Sequence, residues 1–154
     1  MGVSSSSSAE LPVIAFVALF TAAFLAATLL PLQSEAVLAG LLVAGDHAPL
    51  ALILVATAGN VLGSVVNWIV GRSLLRFRHR RWFPASDRQL DRAQGWYRRY
   101  GRWTLLGSWL PVVGDPLTLV AGVMREPLIP FVLLVTLAKG MRYVVLAALV
   151  LAWV

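Results

Sequence analysis

Apolar residues fall into five blocks, 11–30, 36–45, 50–71, 103–124 and 127–154. A helix of about 20 apolar residues crosses a hydrocarbon core. The pattern therefore predicts transmembrane helices over 50–71 and 127–154, and the uncharged block 11–30 is long enough to stay in the membrane. Block 36–45 is too short to cross. It follows Pro31-Leu32-Gln33-Ser34-Glu35, where proline breaks the helix and polar residues suit irregular backbone at membrane depth. Residues 11–45 are thus expected to dip in and return as a hairpin.

Block 103–124 is broken in the same way. Two prolines, a glycine and an acid fall in the six residues Pro111 to Pro116, so neither flank can cross alone. The two breaks match. Thr28-x-Leu30-Pro31-x-x-x-Glu35 aligns with Ser108-x-Leu110-Pro111-x-x-x-Asp115, and an Ala-Gly pair follows each, Ala39-Gly40 and Ala121-Gly122. A long apolar helix then follows each. The expected fold is an all-α integral membrane protein with two re-entrant helical hairpins, 11–45 and 103–124. Each hairpin precedes a transmembrane helix, 50–71 and 127–154, in an inverted-repeat architecture. Such transporters place their sites at broken helices near the midplane. Residues 1–10 are Ser-rich, are expected to be disordered, and lack the basic stretch of a signal peptide.

Charge changes the picture locally. Ten of the thirteen Lys and Arg lie between Arg72 and Arg102, in the linker 72–102 between the two units. This clustering places the linker in the cytoplasm. Asp87 to Tyr100 combines Trp96, Tyr97 and Tyr100 with many arginines and is predicted to lie as an amphipathic helix in the interface. It would anchor to lipid or capture an anionic substrate. A basic stripe between membrane helices faces anionic lipid rather than nucleic acid. With the linker inside, helix 50–71 runs outside to inside and the C-terminus ends outside. The side of the N-terminus stays open.

Composition narrows the class. The chain is 59% hydrophobic and 13% charged, against about a quarter charged in soluble domains. No cysteine is present, so disulfides, thiolate metal sites and cysteine nucleophiles are excluded. His47 and His79 lack metal-ligand neighbours at helical spacing. No phosphate-cradling glycine loop or serine nucleophile elbow occurs. Neither an enzyme, a metal site nor a cofactor is expected.

The candidate chemistry lies in the apolar blocks. Glu35 and Asp115 are costly at membrane depth, which marks them as candidates for proton exchange. Capping of their half-helices is the other reading. Lys139 and Arg142 share a face of the last helix, and Arg125 closes the second hairpin. They could neutralise the acids or hold a phosphate, for which guanidinium offers paired donors. Arg125 could also snorkel. Asn60, Ser64, Asn67 and Gly71 form one stripe on helix 50–71, with Gly59 and Gly63 as a small-residue pair beside it. The stripe could pack a hairpin, satisfy its broken backbone, line a cavity or serve a homodimer. The turns themselves rest on Pro31, Ser34, Pro111, Gly114 and Pro116.

Five motifs in order resemble the DedA family, whose domain is also called VTT or SNARE-associated-Golgi-like, and its short YqaA-type branch. They are Pro31-x-x-Ser34-Glu35, Gly59-Asn60-x-x-Gly63 running to Gly71-Arg72, Arg99-Tyr100-Gly101, Pro111 to Pro116, and Lys139-Gly140-x-Arg142-Tyr143. The resemblance covers roughly residues 15 to 150. It implies a multi-pass protein of the bacterial inner membrane, related to proteins implicated in lipid transport. It also implies membrane lipids as partners, undecaprenyl phosphate among them, and use of the proton gradient. Glu35 and Asp115 match the family's hairpin acids, and Arg125 and Arg142 match nearby basic positions. Longer members carry further charges around the first hairpin, where this chain has only Glu35. The rival functions are a non-transporting envelope scaffold, a small-ion or proton antiporter and, last, a membrane enzyme.

Overall fold

A computed structural model describes residues 7–27, 33–74, 87–110 and 113–153. The expectations for Pro31, Pro111, His79 and the arginines of 75–86 fall outside these residues. The described chain is helical, in the order α1 (Ser7–Ala26), α2 (Gln33–Ala44), α3 (Pro49–Leu74), α4 (Asp87–Tyr100), a 3-10 segment (Gly101–Trp109), α5 (Gly114–Val123) and α6 (Leu128–Trp153). Among the described residues, only α3 and α6 are long and apolar enough to cross a membrane. Each has 26 residues, or about 39 Å of helix at 1.5 Å per residue.

Local sequence explains the boundaries. Pro49 opens α3, where its missing N–H has no intrahelical partner to lose. Gly45 and Gly101 follow the last residues of α2 and α4 with φ of 74° and 61°, the left-handed conformation that ends a helix. Two details differ from the sequence reading. Helix α1 starts at Ser7, within the stretch expected to be disordered. The segment before the second break is a nine-residue 3-10 helix rather than α-helix.

The packing crosses over between the two units. Helix α1 packs on α3, the long helix that follows it, while α2 packs on α1 and equally on α6, and less on α3. Likewise the 3-10 segment packs on α6, while α5 packs on α3. Glycines permit the close crossings. A Cβ on Gly71 would sit 2.0 Å from the Leu119 carbonyl oxygen, and one on Gly122 would sit 2.1 Å from that of Trp68. Gly59 and Gly63 receive α1, where added Cβ atoms would lie 2.5 Å from the Phe20 oxygen and 2.6 Å from the Phe24 oxygen. These two glycines therefore serve the fold itself.

Two apolar cores result. One joins Leu19, Leu38, Leu52, Ala56, Tyr143 and Ala147. The other joins Val61, Trp68, Leu105, Val120, Phe131 and Val135. Along α3, Asn60 falls between the two sets, and along α6 so does Lys139. A polar layer is thus enclosed between hydrocarbon above and below, halfway along both long helices. The outer face of α6, with Ile129, Leu133, Leu137, Met141, Val145 and Leu149 at fourfold spacing, is exposed as suits contact with lipid tails.

Candidate functional site

Both broken units deliver a helix start to this polar layer. Helix α2 presents Ser34, fully buried, and Glu35 in its first turn. Helix α5 presents Asp115 in its first turn, with Pro116 beside it at a position where proline costs no hydrogen bond. Gly114 allows that approach, because a Cβ there would meet the Ser108 carbonyl oxygen at 2.4 Å. A helix start carries a partial positive charge from its unpaired N–H groups, which favours an acid there.

One turn of α6 receives both acids. Arg142 Nε lies 2.8 Å from Glu35 Oε1, and Lys139 Nζ lies 3.1 Å from Asp115 Oδ1. Lys139 is 2% exposed. A charge so buried persists only when paired and hydrogen-bonded. Lys139 also donates to Asn60 Oδ1. The Asn60 amide donates to the Tyr143 hydroxyl at 2.8 Å, and that hydroxyl donates to Ser34 Oγ at 3.0 Å. Asp115, Lys139, Asn60, Tyr143 and Ser34 thus form one chain of polar contacts from the second break to the first. Arg142 Nη1 also donates to the Trp109 carbonyl at 3.3 Å, at the end of the 3-10 segment.

The sequence stripe on α3 divides its labour. Asn67 donates to the Ala27 carbonyl at 2.8 Å, satisfying backbone at the end of α1, and reaches Thr118 Oγ1 at 3.4 Å. Ser64 returns its hydroxyl to the Asn60 carbonyl. Asn60 alone joins the charged groups. Tyr143 lies within the motif Lys139-Gly140-x-Arg142-Tyr143 but is not among the candidate residues of the sequence. Its signal was position, one turn beyond Lys139 on the same face.

Arg125 is placed elsewhere. It is exposed in the α5–α6 turn, three helical turns from Lys139, or roughly 16 Å along α6 from Leu128. Its φ is 58°, its N–H bonds the Gly122 carbonyl, and the Glu126 N–H bonds the Ala121 carbonyl. That is a Schellman closure of α5 with arginine where glycine is usual. None of the described ion pairs includes it.

A second polar cluster escaped the sequence reading. Glu126, 8% exposed, accepts from the Tyr97 hydroxyl of α4 and lies 3.5 Å from Arg102 Nε. Its carbonyl accepts from the Trp68 indole at 3.0 Å. Burial and the adjoining carboxylate raise the Tyr97 phenol above its ordinary pKa. This cluster ties the amphipathic helix to the α5–α6 turn. Among the described residues no group of three acids or histidines could hold a metal. His47 packs edge-on against Phe16.

Comparison with known proteins gives the family. The VTT domain profile matches residues 30–151, which takes in both breaks, α3 and α6. The chain belongs to the VTT-domain, or DedA, family. Inner membrane protein YqaA of Escherichia coli is 46% identical over 132 residues, covering 84% of this chain and 87% of that protein. An uncharacterized protein of Haemophilus influenzae is 41% identical over 138 residues, 83% of this chain and 82% of its own. Undecaprenyl phosphate transporter A of Staphylococcus aureus is 30% identical over 127 residues, 75% of this chain and 63% of its own. No solved structure matches. This DedA protein is accordingly an inner-membrane protein, as the sequence reading expected.

Proposed function

We propose that the chain is a DedA-type transporter that moves a lipid with an anionic phosphate head across the bilayer, coupled to protons. The observation that carries this reading is the meeting of both acid–cation pairs on one turn at the middle of α6. A phosphate would compete with Glu35 for Arg142 and with Asp115 for Lys139. Protonation of either acid frees its cation for the head, and deprotonation takes it back. Two helix starts aimed at the same layer add favourable potential for an anion. Guanidinium can take phosphate through paired donors, while the ammonium acts as a point charge. The name of the Staphylococcus aureus relative makes undecaprenyl phosphate the first substrate to try. In this reading the chain is two re-entrant hairpins in an inverted repeat, which the crossed packing supports, and positive charge assigns the Arg-rich linker to the cytoplasm. The charges themselves do not follow the repeat, since α6 supplies both cations and α3 supplies Asn60.

The test is reconstitution in liposomes under a pH gradient, scoring movement of fluorescent undecaprenyl phosphate beside an ordinary phospholipid. The reading expects the polyprenyl phosphate to move, with loss in Glu35→Gln and Asp115→Asn measured per folded protein. Retention of full transport by both variants would sink it.

One observation favours a second reading, a non-transporting membrane scaffold. Each acid already has a cation, so the layer is neutral by pairs. A scaffold would tolerate the exchanged pair Asp115→Lys with Lys139→Asp in cells, whereas a transporter would not.

A further inference from the structure

We propose that an open-sided cavity between α4, the 3-10 segment and α5 holds the hydrocarbon chain of an anionic phospholipid, with the lipid head against Arg92 and Arg99. The cavity measures about 300 Å³ and is lined by Trp96, Tyr100, Trp103, Gly107, Leu110 and Leu117 among others. That volume lies at the lower end of ligand pockets. Its wall is mostly apolar and aromatic: the Thr104 hydroxyl is already donated to the Gly101 carbonyl, and the other side-chain polar groups are the Tyr100 hydroxyl and the indole N–H groups of Trp96 and Trp103. A wall made so largely of carbon suits hydrocarbon, because a polar ligand would lose more hydrogen bonds to water than it could regain there.

Charge identifies the rest of the ligand. Along α4, Arg88, Arg92, Trp96 and Arg99 with Tyr100 recur at three- and four-residue spacing, which is one helix face. The aromatic members line the cavity, and the arginines are exposed beside them. Arg99 Cζ stands 5.8 Å from the Tyr100 ring centre, and the Trp96 and Tyr100 rings are 6.0 Å apart. Hydrocarbon-binding and cation-bearing groups therefore share one surface, as the tail and head of an anionic amphiphile require. Trp96, Tyr100 and Trp103 are more than half exposed, as suits rings at the level of the headgroups. The Glu126 cluster holds α4 from its other side through Tyr97. The wall is thereby fixed without using the cavity-facing residues.

This site lies outside the charged layer and requires no movement of lipid across the bilayer. It therefore goes beyond the transport reading and stands or falls separately. Purified wild-type chain would be reconstituted in liposomes doped with phosphatidylglycerol or phosphatidylcholine carrying a diazirine near the end of one chain. Light would then fix the lipid, and labelled peptides would be mapped. Phosphatidylglycerol is expected to label 96–117 several-fold more than the exposed face of α6 at 129–149, and several-fold more than phosphatidylcholine does. Arg92→Gln with Arg99→Gln should bring the two lipids level. Val113→Phe, at the cavity rim, should reduce labelling by both. Equal labelling of 96–117 and 129–149 would overturn the cavity. Enrichment at 96–117 that is the same for both lipids would overturn the choice of an anionic ligand. Neither result depends on whether the same liposomes transport anything.

Discussion

Arg142 and Lys139 stand one helical turn apart on α6, and each holds an acid from a different half of the chain. The pairs are unequal in burial. The Lys139 side chain is 3% exposed, against 12% for Arg142, which keeps a second contact at the Trp109 carbonyl.

Stranding Lys139 should therefore cost more than stranding Arg142. Breaking a buried pair by removing one partner costs about 3–5 kcal/mol. Asp115→Asn is expected near that range and Glu35→Gln below it. Adding Lys139→Met to Asp115→Asn should recover most of the loss. Thermal unfolding in detergent of the three variants checks the order, and equal losses for the two single variants would contradict it.

Tyr143 joins Asn60 to Ser34 across 109 positions of sequence. Tyr143→Phe keeps the ring in its core and removes the hydroxyl. It should destabilise by about 1–3 kcal/mol, because two buried polar groups lose a partner. Denaturant titration of the variant measures this.

Backbone contact makes Gly71 and Gly122 intolerant of any side chain. Alanine at either should push α3 and α5 apart and cost at least the roughly 1–3 kcal/mol typical of overpacking. Gly95 is the control. A Cβ there meets nothing within 4 Å, so Gly95→Ala should stabilise α4 by about 1 kcal/mol. Melting temperatures and limited proteolysis near α4 separate these outcomes.

Arg125 tests the functional assignment directly. A left-handed residue other than glycine costs roughly 1–2 kcal/mol, so Arg125→Gly should stabilise the α5–α6 turn. If Arg125 helps to hold a lipid head, transport falls despite the gain. Its separation from Lys139 leads us to expect transport to be unchanged.

The Tyr97 phenol carries a raised pKa through burial and through Glu126. Raised in the folded state, it contributes stability that is fully present below the ordinary phenol pKa. That stability is lost as pH rises beyond it toward the folded value. Unfolding of wild type should thus show an alkaline decline that Tyr97→Phe reduces, visible above about pH 10.

Much of the frame was legible because length and hydropathy are one-dimensional properties. The spans of α3 and α6 and the amphipathic α4 could be read from runs and spacing alone. So could the two acids, because proline, glycine and charge in an apolar run leave few conformations. Which cation meets which acid could not be read, because that depends on helix rotation and depth. Asn60 and Asn67 share a stripe, yet one binds a lysine and the other a carbonyl. Glu126 was invisible as a partner of Tyr97 because an acid in a loop beside a transmembrane helix usually meets water. The 3-10 winding of 101–109 could not be read from the sequence either; the segment packs on α6 and α5, contacts that no local pattern encodes.

The crossed packing also sets an order of assembly. Helix α2 leans on α6, which is synthesised after every other described element. While the chain is still emerging, Ser34 and Glu35 have no Tyr143 or Arg142 to meet, and α5 is not yet present to seat against Gly71. The first unit therefore enters the membrane unfinished, with an acid awaiting its counter-ion. Nascent chains halted before α6 should be the species that quality-control proteases and insertion chaperones find first.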